Sequence, residues 1–302
     1  MIILSAVIVS FNTSHLLRES LASLKKALEA EMTETGFEII VVDNASTDGS
    51  RDMIRRQFPE AILLENKNNL GFAKGNNLGI KKARGRYILL LNSDTVVKAG
   101  FLGHLLKELE AAAKTGAAGP RLLNRDGSLQ PSAGFYPSPL KIFYWMFFID
   151  DFPFIWQFLK PYHVTDAGFY RQRQEAGWLT AACLLVKKEA LKTAGTFDES
   201  IFMYGEEVDL CRRIIKKGYR IVYQPESEVC HYKGASAAGS LSGIVEEFKS
   251  LLYLYKRSAP KFLPVVRVIL RSGALLRLIV FGIIMRQKAK YKLYAQAYRL
   301  VG

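Results

Sequence analysis

Cysteine is scarce: the 302-residue chain has three, Cys183, Cys211 and Cys230, and none is in C-x-x-C spacing. Neither a disulfide framework nor a zinc site is expected, and a reducing, cytoplasmic setting fits. Acidic residues are absent after Glu247, whereas Lys and Arg continue to Arg299 in a chain of net charge +14. An anionic partner for the C-terminal part follows from that asymmetry, either a membrane surface or nucleic acid. The opening MIILSAVIVSFN lacks a basic n-region and a small-residue cleavage site, so it reads as a first buried strand and not as a signal peptide. No internal repeat or low-complexity tract is present. The first apolar run is followed by SFNTSHL and not by G-x-G-x-x-G, so the pyrophosphate cradle of a nicotinamide-binding fold is missing.

A long apolar run is missing too. The segment FLPVVRVILRSGALLRLIVFGIIMRQKAK is interrupted by Arg267, Arg271 and Arg277. Each arginine costs about 2.5–3.5 kcal/mol near the centre of a span, and no stretch between them reaches the roughly 20 residues a span requires. At about 100° per residue the three fall within roughly a third of the circumference. A basic amphipathic helix lying in the interface of an anionic membrane is therefore expected. A helix packed on its own domain or on a second subunit is the other reading. Because the basic residues are interleaved with an apolar face, lipid is favoured over nucleic acid, and no nucleic-acid partner is expected.

What the first part does contain is alternation. AVIVSF, EIIVVDN, AILLEN and YILLLNSD read as strands, separated by the helical patterns LLRESLASLKKALEA, RDMIRRQF and GFAKGNNLGIKKA, with GFLGHLLKELEAAAK after the last. Short apolar strands between helices predict an α/β fold with a mostly parallel sheet covered on both faces. Ligands of such sheets bind beyond the C-terminal strand ends, where SFN, VDN, EN and NSD all fall. Residues 135–162 are dense in aromatics and prolines and read either as an insertion over the site or against a bilayer, or as a buried helix pair. WLTAACLLVKK is expected to be a strand, EEVDLCRRIIKKG a helix ended by Gly218, and YRIVYQPE a strand leading to His231. Residues 1–240 form the expected main domain and residues 241–302 a basic helical segment.

Three groups could carry chemistry. Asn92 and Asp94 lie two apart at a strand end and can present their oxygens to one point, which suits a hard cation; turn and cap chemistry is the alternative. His231 is the natural third ligand. Asp43, just after the second strand, can accept from a base or ribose, or serve as an Asx-turn, with Ser46, Thr47 and Asp48 as caps of the next helix. Glu206, Glu207 and Asp209 open a helix, where carboxylates are favoured and Asp209 can pair with Arg212 or Arg213. Only one of Glu206 and Glu207 can aim into a site, where it could act as a general base.

Taken in order, VIVSFN, VVDNASTDGS, NNLGFAKGNNLGI, LLNSDT, WLTAACLLVKKEAL, GTFDESIFMYGEEVDLCRR and VCHYKGAS resemble glycosyltransferase family 2, GT-A fold, rhamnosyltransferase-like branch, over residues 3–236. The resemblance implies inverting sugar transfer from a UDP- or dTDP-linked sugar, with dTDP-rhamnose the first candidate. The implied acceptor is a hydroxyl of a glycan or a polyprenyl-diphosphate-linked glycan, at the cytoplasmic face of a bacterial membrane. It implies nucleotide or donor contacts from Ser10, Phe11, Asn12 and Asp43, from Asn69, Lys74 and Asn76, and from Asn92, Ser93 and Asp94. Trp178, Thr180, Ala181 and Asp209 are the implied donor and acceptor wall. Glu207 falls at the position of the family's base, with Glu206 beside it, and Asp94, Asn92 and His231 at that of a Mg²⁺ or Mn²⁺ site. Two departures stand out: Asn92 where the family has Asp, and Glu207 where it has Asp. They leave open a catalytically impaired member acting as a nucleotide-sugar-binding or membrane-assembly scaffold. A nucleotidyltransferase is a further rival, disfavoured by the absence of a glycine-rich basic loop after the first strand.

Overall fold

A computed structural model describes residues 2–32, 36–152, 156–232 and 243–302. Residues 153–155 of the aromatic segment, residues 233–236 of VCHYKGAS and the boundary at residue 240 lie outside them. The first half runs β1 (Ile2–Ser10), α1 (Ser14–Glu31), β2 (Gly36–Asp43), α2 (Ser50–Gln57), β3 (Ile62–Glu65), α3 (Gly71–Lys82), β4 (Tyr87–Asn92), β5 (Thr95–Val97) and α4 (Phe101–Ala111). There follow β6 (Thr115–Leu123), β7 (Leu129–Gln130), β8 (Ala133–Gly134), α5 (Pro139–Met146), α6 (Trp156–Leu159), β9 (Gln174–Ala176), β10 (Trp178–Leu179) and β11 (Cys183–Lys187). The chain closes with α7 (Lys188–Ala194), α8 (Glu206–Lys216), β12 (Arg220–His231), α9 (Gly243–Ser258), α10 (Leu263–Ile279) and α11 (Lys288–Val301).

The main sheet has the order β3-β2-β1-β4-β11-β6-β12-β5. Strands β3, β2, β1 and β4 are parallel, as are β6 and β12, whereas β11 runs antiparallel between β4 and β6. Side chains alternate across a strand, and both faces are covered here, so both parities are apolar. Leu4, Ala6 and Ile8 of β1 pack with Leu17, Leu21 and Leu24 of α1 and Leu105 of α4. Val7 joins Ile40, Val42, Ile88 and Leu90 on the other face, with Ile80 of α3 and Val208 and Ile214 of α8. WLTAACLLVKK is two strands and not one: β10 pairs with β8 in a separate two-stranded sheet, the chain enters the main sheet at Cys183, and the Ala182 carbonyl accepts from the Asn92 amide at 2.9 Å.

The aromatic segment is buried on one side and exposed on the other. Ile142, Trp145 and Met146 of α5 are buried against α10, while Leu140, Phe152 and Phe158 are exposed. The three arginines of α10 do not form one outward basic face. Arg277 is buried: its Nε donates to the Met146 carbonyl (3.1 Å), its guanidinium also bonds the Trp145 carbonyl, and it bonds Tyr294 Oη (2.9 Å). It also lies over the Phe148 ring at 4.2 Å. A cation at the open carbonyls ending α5 meets the negative end of that helix, so this face of α10 turns inward. No helix among the described residues is long and apolar enough to cross a membrane.

Close to Arg277 lies a buried carboxyl group. Neither oxygen of Asp150 has a hydrogen-bond partner among the described residues. Burial, and next the charge of Asp151, push its pKa up to about 6 against the pull of His163 and Arg277. With the folded pKa above the unfolded one, the native state holds the proton more tightly, so this contribution to stability is present below about pH 4 and is lost as the pH rises through about 6. Asp150→Asn is therefore expected to leave stability at pH 4 nearly unchanged and to raise it by about 3 kcal/mol at pH 8. Urea unfolding at the two pH values measures the difference.

Candidate active site

The rim of the sheet at the ends of β1, β2 and β4 gathers the polar groups. Ser10 lies opposite Asp43, and Val9 opposite Asn92. After Asn92 the chain turns through Ser93 and Asp94 into β5, which pairs antiparallel with the end of β12 and sets Thr95 opposite His231. The Asp94 carbonyl accepts from the Tyr232 amide at 2.8 Å, which completes the corner.

Asp94 is 1% exposed, and neither of its carboxylate oxygens has a hydrogen-bond partner among the described residues. His231 Nε2 stands 3.3 Å from Asp94 Oδ1 and 3.3 Å from Asn92 Nδ2. On the far side of the ring, Nδ1 lies 2.6 Å from Gln130 Oε1. The Gln130 amide nitrogen donates to Asn124 Oδ1 (2.7 Å) and to the His231 carbonyl (3.1 Å), which leaves its oxygen to accept from Nδ1–H. The neutral imidazole then presents the Nε2 lone pair to a carboxylate, two acceptors face to face, and a cation or a proton belongs between them. This donor set of one carboxylate, one imidazole and one amide suits a divalent cation that takes its other ligands from phosphate oxygens. No group of three or more His, Cys, Asp or Glu side chains placed to hold a metal ion occurs among the described residues. Gln130→Ala frees the ring and should weaken apparent metal affinity about 10- to 100-fold, read from metal titrations of thermal shift.

The neighbouring rim is tied by hydrogen bonds between loops. Asp43 is buried; its Oδ1 accepts from Arg51 Nε (2.5 Å) and the Ser46 amide (3.0 Å), while its Oδ2 has no partner among the described residues. Asn12, at φ 53°, accepts from the Thr47 amide (2.8 Å) and donates its own amide to Ser46 Oγ (2.9 Å). Next to it Phe11 is exposed. The Ser10, Thr13 and Ser93 hydroxyls form a chain with steps of 2.9 and 3.1 Å. Asp48 reaches two helix starts, accepting from the Ser50 amide (3.1 Å) and, across the rim, from the Ser14 amide of α1 (2.7 Å). Asn69 and Asn76 hold backbone: Asn69 Oδ1 accepts from the Gly71 amide (2.9 Å), and the Asn76 amide donates to the Phe72 carbonyl of its own helix (3.0 Å). Lys74 is exposed on α3.

The acidic residues open α8, which packs on α7, β10 and β12. Its entry is anchored by the Phe72 amide of α3, which donates to the Phe202 carbonyl at 3.2 Å. Gly205 precedes α8 at φ 99°, and a Cβ there would lie 2.9 Å from Ser250 Cβ of α9, so a side chain is excluded by both conformation and space. Glu206 is buried with Oε2 unpartnered among the described residues; Glu207 is partly exposed and its Oε2 accepts from the Gly205 amide at 3.1 Å. Burial pushes both carboxyl groups above the usual range, with Glu207 adding to the effect on Glu206. For Glu207 the amides of Glu207 and Gly205 oppose burial, Glu247 adds to it and His163 opposes it. Asp209 is turned elsewhere: Arg213 Nε bonds it at 2.7 Å and continues to the Ala194 and Thr196 carbonyls. This i,i+4 pair is the structural arrangement its spacing allows, and it holds α8 to the end of α7.

Residues 178–182 form β10 and its link into β11. Trp178 is buried with Nε1 donating to the Tyr162 carbonyl (3.0 Å), the Thr180 amide donates to the Ser132 carbonyl (2.9 Å), and Ala181 is buried beside them. Sequence reasoning did not single out Gln130, Arg51 or Asn124, because a lone polar residue in a short strand or loop carries no spacing signal.

The family model described as Glycosyl transferase family 2 matches residues 5–173. The N-acetylglucosaminyl-diphospho-decaprenol L-rhamnosyltransferase of Mycobacterium tuberculosis is 30% identical over 253 residues, 78% of this chain and 77% of that protein. The O-antigen biosynthesis protein RfbC of Myxococcus xanthus is 27% identical over 221 residues, 72% of this chain and 16% of that protein. Among solved structures, a mannosyltransferase from Pyrobaculum calidifontis in complex with GDP-Man and Mn²⁺ aligns over 99% of this chain and 85% of its own, with a TM-score of 0.54 at 17% identity. GalNAc-T7 with UDP, GalNAc and Mn²⁺ aligns over 100% of this chain and 56% of its own, with a TM-score of 0.62 at 14% identity. These likenesses establish the GT-A architecture.

Proposed function

The chain belongs to glycosyltransferase family 2 and is an inverting glycosyltransferase, and from that premise we propose that it transfers a sugar, rhamnose first among candidates, from a dTDP- or UDP-linked donor to a polyprenyl-diphosphate-linked glycan. The observation that carries this reading is the buried Asp94 carboxylate, without a hydrogen-bond partner among the described residues and 3.3 Å from His231 Nε2, with Asn92 beside it. The acceptor class rests on the mycobacterial relative, whose name specifies an N-acetylglucosaminyl-diphospho-decaprenol acceptor. The site of action is then the cytoplasmic face of the membrane.

Asp94, His231 and Asn92 would hold Mg²⁺ or Mn²⁺, whose charge, when bound, offsets that developing on the leaving diphosphate. Asp43, at the end of β2, would bond the base or ribose through its Oδ2, which has no hydrogen-bond partner among the described residues, its other oxygen being held by Arg51. Ser10, Asn12 and Ser93 set the neighbouring rim. Glu207 would receive the acceptor proton as that hydroxyl oxygen bonds the anomeric carbon. The bond from that carbon to the diphosphate oxygen breaks on the opposite face, its electron pair leaves with the diphosphate, and the configuration inverts. A carboxylate whose pKa burial has raised is the stronger base for this step.

The test is a thermal-shift screen of nucleoside diphosphate sugars with and without Mg²⁺ or Mn²⁺, followed by transfer to a polyprenyl-diphosphate-linked acceptor. Stabilisation by one nucleotide sugar only with metal is the expected result; the same shift without metal would overturn the assignment of the Asp94 corner.

A further inference from the structure

The C-terminal helices carry a surface that the transfer reaction does not use. On α10, Val266, Leu270, Ala274 and Arg277 are buried, and the helix packs on α5, α9 and α11. On its other side Val265, Val268, Leu275 and Ile279 fall within about 80° of one another at roughly 100° per residue. These four are between 45% and 67% exposed. The π-helical turn Val280–Ile284 extends the stripe with Ile283 and Ile284, each 71% exposed. Exposed apolar side chains are ordinary when scattered; a continuous stripe along one helix is a contact surface.

The charge around the stripe selects what it touches. Arg267 and Arg271 flank it on α10, and Arg286 and Lys288 follow the turn. From Lys261 to Arg299 the sequence has no carboxylate, and no Lys or Arg in that range forms an ion pair with a described residue. A cavity of about 450 Å³ between Ile283 and Tyr291 is rimmed by Arg286 and Lys288. A second copy of the chain seated on this face would set like charges against like, with no acid to neutralise them. An anionic bilayer supplies both an acyl boundary and phosphates.

We propose that the Val265–Ile283 stripe docks on an anionic phospholipid surface, with its side chains in the acyl boundary and Arg267, Arg271, Arg286 and Lys288 at the headgroup phosphates. This deepens the assignment of a lipid-linked acceptor and rests on it, but uses a different face from the one expected of the arginines alone, since Arg277 points into the protein. The full-length protein is sedimented with phosphatidylcholine vesicles with or without phosphatidylglycerol, alongside the double variants Val268→Asp/Ile279→Asp and Arg286→Glu/Lys288→Glu. Transfer to a water-soluble, short-chain acceptor and the sedimentation-velocity mass are measured in parallel. Wild type is expected to bind the anionic vesicles at least about tenfold more strongly than the neutral ones, and each double variant to lose about tenfold. Soluble-acceptor turnover and melting temperature should be unchanged in both variants. Wild-type binding unaffected by either variant, or no preference for anionic vesicles, overturns the proposal. So does a wild-type dimer that Val268→Asp/Ile279→Asp dissociates without any vesicle binding, which would make a second copy the occupant. Vesicle binding as expected with no transfer to any acceptor would support the surface and fell the transferase assignment separately.

Discussion

Glu207→Gln is expected to lower kcat by about 10²- to 10⁴-fold, the range for loss of a positioned general base, while leaving donor binding and the melting temperature close to wild type. Gln keeps the shape of the side chain but cannot take the acceptor proton. Donor affinity should survive because the diphosphate and base are assigned to other elements, the ends of β1, β2 and β4. Glu206→Gln separates the two acids. Burial and the charge of Glu207 both raise the Glu206 pKa, so Glu206 keeps its proton where Glu207 ionises and Gln replaces a group already neutral. Turnover should persist in Glu206→Gln, with the acidic limb of the kcat profile still set by Glu207, whose pKa its burial raises. The sign follows from the base being active only when ionised: a raised pKa places the wild-type limb nearer neutrality than an ordinary carboxylate would. Stopped or continuous assays over pH 4–8 on both variants and wild type provide the measurement. Full turnover in Glu207→Gln would remove this residue from the reaction and return the chain to the scaffold alternative.

Much of this layout was legible because the strands are buried on both faces. In β1, β2 and β4 the residues leading to the rim are apolar, Ser5 and Glu38 being bonded to each other nearer the strand starts, so the point where IVSFN, VVDN or LLNSD turns polar marks the strand end directly. Strand β6 gave no such signal. Its sequence TGAAGPRLL holds two glycines and a proline, yet it lies mid-sheet, where Gly119 lets Leu179 cross: a Cβ there would approach Leu179 Cδ1 to 3.0 Å. Small residues chosen for a close crossing look like a loop to any propensity argument. The pairing of His231 with Asp94 was not derivable from spacing either, since it depends on β5 turning back against the end of β12, 139 positions after Asn92. Arg277 illustrates a third failure: angular position on a helix says which residues share a face, but not which face turns inward. The answer lay in the carbonyls that end α5, which a buried guanidinium can satisfy and an apolar side chain cannot.

Asp94→Asn should move activity and stability in opposite directions. In the protein without metal, a carboxylate 1% exposed with neither oxygen hydrogen-bonded among the described residues is a strain on the fold, because burying a charged group without hydrogen bonds is unfavourable. The amide replaces it at the same volume, carries no charge, and brings a donor that the His231 Nε2 lone pair, 3.3 Å from the present Oδ1, can accept. The metal-free variant is therefore expected to be more stable than wild type by about 1–2 kcal/mol, the scale of one relieved polar burial. Turnover should fall by at least about 10³-fold, equivalent to roughly 4 kcal/mol of lost charge stabilisation on the leaving group. The metal-dependent thermal shift of wild type should vanish with it, since two neutral groups, Asn92 and His231, remain to hold a cation. Thermal unfolding with and without Mn²⁺, run beside transfer assays on the same preparations, reads both signs. A variant less stable than wild type without metal would mean that the Asp94 carboxylate is satisfied within the protein, through a protonated His231, and that the corner is a structural ion pair and not a place for a cation. The opposite signs distinguish the two because only a group retained for chemistry leaves the fold better off when it is neutralised.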